Sequence, residues 1–508
     1  MQNPNASFSF EPDIHYVVDL NAALNFPEIF DPDANLPERH LIISRIYQKS
    51  LHKMRDEETD RGISANELSL LLYNLIRNGK KMQNDGAEEY ELGILHVIFD
   101  YQDHPFEGKP IAGEHIKETI SLAEYWRKQK GIKRVIILTN DPMMLVSAQD
   151  RAELEINMFS PSPYIGYRRI WDEDAIFAWQ KSKKMPLHLF QELLPNEEPL
   201  RPHEFVMFGK TNTFNHIGRY DPFCETIVPL TYYRKLQSQG IPPIGEMQAM
   251  AFEALMAPAD EISVVILYGN AGAGKTFAAI SAALAQTGLA NTKFTNAPVE
   301  EPQRGGSKRS RKNQHNDDVS TYAKNGDSES YPYQSIMVCP PDRMLGDKMA
   351  AVPGDERAKL AGKLNAYMDN IRAYLRLKGD KMEGGILPNE RDLAYRAQSI
   401  MNQIEICPPG EINGRSFWNT FFICDEAQFN SLSQDKAFIE RSDKGTKTAL
   451  LGDPSQERNP YSWFGNPLAR TVRYLGGDIN VAIIRFDGES DIKRPGAQII
   501  ARCWPAGR

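Results

Sequence analysis

Apolar and polar positions divide the chain into three stretches. Between about residues 13 and 160, short β-branched runs alternate with patterns of helical period, whereas about 165 to 240 contains isolated short strands among prolines and aromatic residues. From about residue 241 the alternation of strands and helices resumes. Such alternation predicts α/β layers with parallel sheets. The strand candidates of the first two stretches are His15–Val18, Ile94–Phe99, Arg134–Thr139, His203–Phe208 and Ile227–Tyr232.

This division predicts an N-terminal α/β/α domain at residues 1–165, a linker or small β-containing module at 166–240 and a second α/β domain at 241–508. Residues 297–331 of the second domain have almost no apolar content and cannot bury a core, so we predict a disordered surface insertion there. Its basic run at 304–312 fits either an arm that touches nucleic acid or a solvated loop, and the sequence leaves both open.

Composition narrows the class of protein. With 508 residues, of which 41% are hydrophobic and 25% charged, the chain suits a soluble protein of two or three domains. Its net charge of −8 means that any nucleic-acid binding must use a local basic surface. The five scattered cysteines include no C-x-x-C pair, and there is no run of 18 apolar residues and no secretory signal. We expect a cytoplasmic protein without a disulfide framework, a cysteine zinc site or a membrane span.

One segment of the second α/β domain fits the phosphate-binding pattern G-x-x-x-x-G-K-[ST]. Its residues are Gly269, Asn270, Ala271, Gly272, Ala273, Gly274, Lys275 and Thr276. The apolar run Ile262–Tyr268 precedes it, and a helical stretch follows at Phe277–Leu284. In that setting backbone N–H groups surround phosphate oxygens, the lysine reaches the β- and γ-phosphates and the threonine binds Mg²⁺. The predicted ligand is a nucleoside triphosphate.

Two further strand candidates end in residues suited to phosphoryl transfer. The run Phe421–Cys424 leads into Asp425, a predicted Mg²⁺ ligand, and Glu426, a predicted base for the attacking water. The run Thr448–Leu451 leads into Gly-Asp-Pro-Ser and Gln456, whose amide is placed where it can sense the γ-phosphate. Together with the phosphate loop, these strand ends predict hydrolysis of the nucleotide.

The strings GNAGAGKT, DEAQ and GDPSQ resemble those of the PhoH family of ATPases, which are similar to superfamily 1 helicases, and the resemblance covers about residues 241–503. It implies ATP and Mg²⁺ as cofactors, RNA as a partner and a homo-oligomeric ring, by analogy a hexamer. It also implies that Gln248 reads adenine, because an amide offers the donor and the acceptor that adenine matches. By the same resemblance Arg494 acts as an arginine finger toward a neighbouring subunit, the alternative being a solvated surface arginine.

One departure from the PhoH pattern concerns an arginine. The family has Arg-Pro before its Pro-Gly-Asp segment, and this chain has Cys339-Pro340-Pro341 instead. The function of that arginine is therefore absent here or supplied by Arg343.

Two strand ends of the N-terminal domain also carry acids. Tyr16–Val18 leads into Asp19, and Val135–Thr139 leads into Asn140 and Asp141. This pattern resembles a PIN domain, a nuclease fold that binds Mg²⁺ or Mn²⁺ through carboxylates and cleaves RNA. PIN and PhoH domains occur fused in this order. The resemblance implies that the two aspartates are metal ligands and catalytic residues.

The acid set is incomplete relative to that fold, because two divalent ions near a phosphate take about three or four carboxylates. Gln48–His52, where the fused family has Glu-Glu-Leu-Asp, contains none, so Glu67 would have to compensate. Glu114 or Glu118 would supply the acid of the helix before Arg134. The sequence leaves open an active metal-dependent nuclease and a PIN scaffold that does not cleave.

These patterns favour an ATP-driven RNA helicase or remodeller with an attached ribonuclease-like domain. The alternative is an ATP-controlled oligomeric scaffold with a nuclease-inactive PIN domain. A small-molecule P-loop kinase fits less well, because Glu426-Ala427-Gln428 and the Gly-Asp-x-x-Gln strand end have no clear use in such an enzyme.

Overall fold

The described part of the chain forms three β-sheets in a computed structural model. It comprises residues 10–32, 36–56, 60–84, 87–106, 113–129, 132–151, 153–158, 164–211, 213–291, 331–340, 356–379, 389–412, 414–454 and 466–486. The sheets have seven, five and six strands in chain order. Within these residues, no helix is long and apolar enough to cross a membrane.

The N-terminal domain has seven strands and five α-helices among its described residues. The strands are β1 Ile14–Val18, β2 Arg39–Ser44, β3 Lys80–Asn84, β4 Ala87–Leu92, β5 Leu95–Asp100, β6 Arg134–Thr139 and β7 Glu155–Met158. The helices are α1 Leu20–Asn25, α2 Ile46–Met54, α3 Asp60–Asn78, α4 Glu114–Arg127 and α5 Pro142–Ser147. The three predicted strands of this domain are thus confirmed within one residue at each end, as β1, β5 and β6.

The strand order of this sheet is β3-β4-β5-β2-β1-β6-β7. Strands β5, β2, β1, β6 and β7 are parallel, and β4 and β3 add an antiparallel edge. The chain reverses its direction of travel across the sheet at β1, because β2 lies on one side of it and β6 on the other. Open α/β sheets bind ligands at the carboxyl ends of strands next to such a reversal. Asp19 and Asp141 follow β1 and β6 and therefore lie at this place.

Helices cover both faces of the N-terminal sheet, which explains why its inner strands are buried on both sides. Tyr16, Leu41 and Val97 pack in one core with side chains of α1, α2 and α3. Val17 and Ile42, on the other face, pack in a second core with side chains of α4 and α5. The predicted α/β/α layers are therefore present.

The middle sheet is small and mixed. Its strands are β8 Tyr167–Ile170, β9 Met185–Pro186, β10 Phe205–Phe208, β11 Ile217–Asp221 and β12 Thr226–Pro229, in the order β8-β10-β11-β12-β9. Helices α6 Glu173–Ser182, α7 Leu187–Leu193 and α8 Tyr233–Ser238 accompany it. Phe205, Met207 and Ile217 of this sheet belong to the same buried core as the first helix of the C-terminal domain. The stretch that the sequence suggested as a linker thus packs firmly against its neighbour.

The C-terminal sheet consists of six parallel strands in the order β15-β14-β16-β17-β13-β18. The strands are β13 Val264–Gly269, β14 Ser335–Cys339, β15 Glu405–Ile406, β16 Thr420–Cys424, β17 Lys447–Gly452 and β18 Val481–Phe486. The helices are α9 Glu246–Met256, α10 Lys275–Thr287, α11 Glu356–Lys378, α12 Glu390–Met401, α13 Leu432–Glu440 and α14 Pro467–Leu475. The order places the carboxyl ends of β16, β17 and β13 side by side. The predicted insertion at 297–331 lies, except for its last residue, outside the described residues.

Candidate nucleotide site and a second carboxylate site

The predicted phosphate loop connects the end of β13 to the start of α10, as the motif requires. Gly269 has a φ of 123° and Gly274 a φ of 93°, a region that side-chain-bearing residues rarely adopt. A Cβ atom on Gly269 would lie 2.1 Å from the carbonyl oxygen of Phe486 at the end of β18. Both glycines are therefore required by the backbone itself, and the loop closes tightly over the sheet edge.

Lys275 begins α10 and is 8% exposed. Its Nζ donates hydrogen bonds to the carbonyl oxygens of Gly269, at 2.7 Å, and Asn270, at 2.9 Å. Burial lowers the pKa of Lys275, and the nearby carboxylates of Asp453 and Asp425 oppose that shift. The ammonium group therefore lies under the loop, where it can attract an anionic phosphate, and the nearby carboxylates favour its charged form.

Thr276 and Asp425 meet across the site. The Thr276 hydroxyl donates to Oδ2 of Asp425 at 3.0 Å, which joins the first turn of α10 to the end of β16. Burial, followed by the charge of Glu426, raises the pKa of Asp425 to about 6. A hydroxyl and a carboxylate at this distance form the oxygen-ligand pair that Mg²⁺ takes in P-loop proteins. The donor set fits the predicted ion.

Gln428 links the acids of β16 to the end of β17. Its Nε2 donates to Oε2 of Glu426 at 2.5 Å, and its Oε1 accepts from the backbone N–H of Asp453 at 2.9 Å. Asp453 in turn accepts at Oδ2 from the backbone N–H of Ala271 in the phosphate loop, at 3.1 Å. One amide therefore positions the predicted base relative to the loop. The DEAQ string contained this glutamine, but only the structure reveals its contacts.

Backbone geometry around Gln428 supports the same arrangement. Glu426 has a φ of 56°, a left-handed conformation that costs free energy for a residue other than glycine and that is concentrated at functional sites. Gly452 has to be small, because a Cβ there would lie 2.4 Å from Oε1 of Gln428. The backbone of Glu426 is therefore strained, and Gly452 leaves room for the amide of Gln428. Together these two features keep the carboxylate of Glu426 at the site.

Gln248 lies in the first turn of α9, beside the loop. Its Oε1 accepts from the backbone N–H of Ile244 at 2.7 Å, and its Nε2 lies 3.7 Å from the position that a Cβ would take on Gly274. It lines a cavity of about 420 Å³ together with the phosphate loop, Asp425, Glu426 and α11. That volume is within the usual range for a small-molecule site. Adenine recognition by Gln248 stays a prediction.

Several predicted site residues lie outside the described residues. These are Gln456, Arg494, Arg343 and the basic run at 304–312. Their predicted functions stay predictions.

Comparison with known proteins identifies the family of a large part of the C-terminal domain. Residues 328–504 match the model of the family described as PhoH-like protein. The C-terminal domain is of the PhoH type. Protein PhoH2 of Bacillus subtilis (strain 168) is 23% identical over 494 residues, which cover 93% of this chain and 96% of that protein. The resemblance drawn from the motifs is confirmed for the PhoH-type domain, and a P-loop nucleotide site is in keeping with it.

Two other relatives match a shorter part of the chain. A PhoH-like protein of Bacillus subtilis (strain 168) is 26% identical over 164 residues, 32% of this chain and 46% of that protein. A PhoH-like protein of Synechocystis sp. (strain ATCC 27184 / PCC 6803 / Kazusa) is 31% identical over 133 residues, 26% of this chain and 38% of that protein. The similarity to PhoH2 alone among these three runs through most of the chain, including most of the N-terminal domain.

A second site lies in the N-terminal domain, where β1 and β6 end. Asp19 is fully buried and accepts at Oδ2 from the hydroxyl of Thr139 at 3.2 Å. The same hydroxyl accepts from the backbone N–H of Asp141 at 3.0 Å, so Thr139 connects the two acids. Burial raises the pKa of Asp19 to about 6. Its Oδ1 is buried and has no hydrogen-bond partner in the described part of the chain, which leaves an oxygen available to a cation.

Histidine, which sequence reasoning did not propose here, completes this cluster. Nε2 of His115, in the first turn of α4, lies 3.6 Å from Oδ2 of Asp141 and 3.4 Å from Nδ2 of Asn21. In the sequence, His115 directly follows Glu114, a suspected metal ligand, and this neighbour could have drawn attention to the histidine. Asp19, Asp141 and His115 bring two carboxylates and one imidazole to this place, but among the described residues they are not a group whose ligand atoms all lie within 4.8 Å of one another. Metal binding here stays a prediction.

The structure does not bring the other suspected acids into this cluster. Glu67 instead accepts hydrogen bonds from Arg470, at 2.6 Å, and from Tyr474 of α14. Glu114 is exposed at the start of α4. Glu118 accepts from the backbone N–H of Ile46 at 3.2 Å, and burial raises its pKa. The carboxylate of Glu67 is thus occupied by an ion pair with α14, and its function as a compensating metal ligand stays a prediction.

Helix α14 connects the two sites. Its N-cap residue Asn466 donates from Nδ2 to the backbone oxygen of Gln428 at 3.2 Å. One turn later the buried guanidinium of Arg470 contacts Ser64 and Glu67 of α3, and Arg473 donates to the backbone oxygen of Asn25 at the end of α1. Because α1 begins directly after Asp19, a continuous chain of contacts runs from the nucleotide site to the N-terminal acids.

Proposed function

We propose that this protein is an ATP-hydrolysing RNA helicase or remodeller of PhoH type with an attached PIN ribonuclease-like domain. The observation that carries the ATPase part is the pair of contacts around Asp425 and Glu426. The first acid is joined to Thr276 at 3.0 Å, and the second is held by Gln428 at 2.5 Å. A Mg²⁺ ligand and a water-orienting base are thereby both available next to one phosphate loop.

Each residue of the site has its own function in hydrolysis. The Thr276 hydroxyl and Asp425 would hold Mg²⁺, which would neutralise phosphate charge. Lys275 offsets the charge of the β- and γ-phosphates, and the loop N–H groups surround them. Glu426 orients the attacking water and accepts its proton, while the bond from Gln428 keeps that carboxylate in place. Gln248 distinguishes adenine from guanine.

The test is ATP hydrolysis measured with and without single-stranded RNA. The wild-type protein is expected to hydrolyse ATP faster with RNA, and Glu426→Gln is expected to lose at least about 100-fold in rate while still binding ATP. Glu440→Gln, an exposed acid of α13, is the matched control and keeps the wild-type rate. Absence of stimulation by any nucleic acid would contradict the motor function, and an active Glu426→Gln variant would contradict the proposed base.

Ribonuclease activity is the second part of the proposal, and Asp19, Asp141 and His115 support it. Oδ1 of the fully buried Asp19 has no hydrogen-bond partner within the described residues, Thr139 connects Asp19 to Asp141, and His115 lies next to Asp141. Labelled single-stranded RNA incubated with Mn²⁺ or Mg²⁺ is expected to be cleaved by the wild type and not by Asp19→Asn/Asp141→Asn. Asp369→Asn, on the exposed side of α11, is the control. Equal cleavage by wild type and double variant would leave the domain a scaffold.

The alternative function is an ATP-controlled oligomeric scaffold with a nuclease-inactive PIN domain. The specific observation that favours it is the small acid set, because Glu67 is bound to Arg470. Sedimentation with and without ATP separates the two functions: a scaffold changes its assembly with ATP and turns over very slowly, whereas a motor turns over quickly on RNA.

The proposed ring and its arginine finger are tested by mixing subunits. If Arg494 completes the ATP site of a neighbouring subunit, inactive Arg494→Ala and inactive Lys275→Ala proteins should regain part of the activity when they are mixed. Mixtures that stay inactive, although both proteins assemble with each other, would contradict a finger that acts between subunits.

A further inference from the structure

Three histidines form a row across the N-terminal sheet. His15, His40 and His96 occupy β1, β2 and β5 in register, so that neighbouring strands bring their rings together. The rings of His15 and His40 stack at a centroid distance of 5.0 Å, and those of His40 and His96 at 4.3 Å. A row of three imidazoles on adjacent strands is a concentration of metal-ligand side chains that neither proposed activity uses.

The row lies at the opposite end of the strands from the predicted nuclease site. Two residues after each histidine comes a strand position that faces the α4 side of the sheet. These positions are Val17 in β1, Ile42 in β2 and Ile98 in β5. Because alternate strand residues share a face, the histidines lie on that same face. They stand at the amino ends of the parallel strands, whereas Asp19 follows the carboxyl end of β1. The two sites are therefore separate.

Glu38 turns this row into a group with a common centre. Its Oε1 lies 3.7 Å from Nε2 of His40 and 3.8 Å from Nε2 of His96. One ligand atom from each of the three residues lies within 4.8 Å of the others. The two imidazole side chains are 19% and 15% exposed and that of Glu38 is 47% exposed, so the centre is accessible from water.

The distances suit an ion between the groups better than direct hydrogen bonds. Separations of 3.7 and 3.8 Å are longer than an N–H···O hydrogen bond. Ligand atoms bound tetrahedrally to Zn²⁺ at about 2.0–2.2 Å lie about 3.3–3.6 Å apart, a spacing that small side-chain movements reach here. Nδ1 of His96 is buried and, within the described residues, makes no hydrogen bond, so Nε2 is the ring atom directed at the carboxylate.

We propose that Glu38, His40 and His96 bind one divalent transition-metal ion, with Zn²⁺ as the best-fitting ion. Two imidazoles and one carboxylate form a set that Zn²⁺ accepts, and its fourth position is left to water. The ion joins β2, β5 and the segment before β2. Its effect is to hold the amino ends of these strands together, and it is independent of the ATP site.

The first measurement is metal binding to the full-length protein after removal of metal with EDTA. Asp19→Asn/Asp141→Asn serves as the background, so that the other candidate metal site is absent. Titration with Zn²⁺ in a calorimeter should give one tight equivalent, and Co²⁺ should give the visible absorption of a four-coordinate ion. His40→Ala or His96→Ala should weaken Zn²⁺ binding at least about 100-fold. His188→Ala, an exposed histidine of α7, should bind like the background protein.

A second measurement excludes simple misfolding of the histidine variants. Glu38 is partly exposed, so Glu38→Gln should fold normally while losing the anionic ligand. Zn²⁺ should raise the thermal midpoint of the background protein, because an ion that binds the native state stabilises it, and should raise that of Glu38→Gln much less. Equal binding, or an equal rise of the midpoint, in the background protein and in Glu38→Gln would overturn the proposal.

Discussion

The nucleotide site and the N-terminal carboxylate site occupy the same kind of place, the carboxyl edge of parallel strands, yet they are built differently. The nucleotide site combines a contiguous loop with the ends of two neighbouring strands, and Gln428 bonds to both. The N-terminal site is assembled from single residues that follow β1 and β6 and from one residue of α4, and among the described residues no group donates to Oδ1 of Asp19.

The difference concerns preorganisation. In the PhoH-type domain, the contacts of Glu426 and Asp453 are already made, so little rearrangement is needed before chemistry. In the N-terminal domain, burial disfavours the charged form of Asp19 more than the hydrogen bond from Thr139 favours it, and a bound cation would offset that cost. We therefore expect substitutions at the first site to impair activity and substitutions at the second to change stability as well.

The largest effect is expected for Lys275→Ala. Removing the buried ammonium should lower kcat/KM for ATP by about 10³-fold or more, because the charge on the β- and γ-phosphates would lose its main offset. Steady-state hydrolysis checks this, with Lys436→Ala, an exposed lysine of α13, as the control. A variant with more than a tenth of the wild-type activity would contradict the function proposed for Lys275 in the phosphate loop.

Arg470→Met comes next, since it tests whether the two regions act as one unit. The substitution removes the contacts of the Arg470 guanidinium with Glu67 and Ser64 and should lower the free energy of unfolding by about 3 kcal/mol. Arg376→Met, which removes an exposed pair with Glu390, should change it by less than about 1 kcal/mol. Calorimetric unfolding should reveal two separated transitions in Arg470→Met. A single unchanged transition would show that α14 does not couple the domains.

A smaller effect is expected for Gln428→Ala, which tests whether the amide of Gln428 holds Glu426 in position before the reaction. Freeing Glu426 and the N–H of Asp453 should lower kcat for ATP hydrolysis about 30-fold and leave KM within about threefold, because substrate contacts stay in place. The exposed Gln398→Ala of α12 provides the comparison. A change in KM alone would mean that this amide helps to bind ATP instead of positioning the base.

The smallest effect concerns Asp19 and depends on pH. The folded-state pKa of about 6 lies above the ordinary value of 3.8, so the native state holds the proton more tightly than the unfolded chain. Ionised Asp19 therefore destabilises the fold increasingly from about pH 4 to 6 and fully above pH 6. In EDTA, Asp19→Asn should raise the free energy of unfolding by about 1–2 kcal/mol at pH 7.5.

Below about pH 4 that advantage should vanish, because Asp19 is then protonated in both states. Urea unfolding at several pH values measures the difference, with Asp369→Asn as the exposed counterpart. A variant less stable than wild type at pH 7.5 would mean that the buried carboxylate is well satisfied without a cation.

Sequence-based reasoning worked best where the chemistry is continuous along the chain. The phosphate loop, the two acids after β16 and the strands β1, β5 and β6 lie where they were predicted. Strand β2 was missed although it lies beside β1 at the centre of its sheet, because its apolar run Leu41–Ile43 is short and polar residues flank it. The ion pair of Glu67 could not be predicted, because its partner Arg470 lies in another domain.

The sequence by itself determined the local geometry of the nucleotide site, because the glycines of the loop are required by backbone angles and close approaches that a few consecutive residues define. Only the tertiary structure decided which distant groups complete each site. Strand order brings Gln428 to Asp453 and His40 to His96, and domain packing pairs Glu67 with Arg470. Such contacts depend on how separate strands and helices are arranged in space, which the spacing of residues along one chain does not encode in any short pattern.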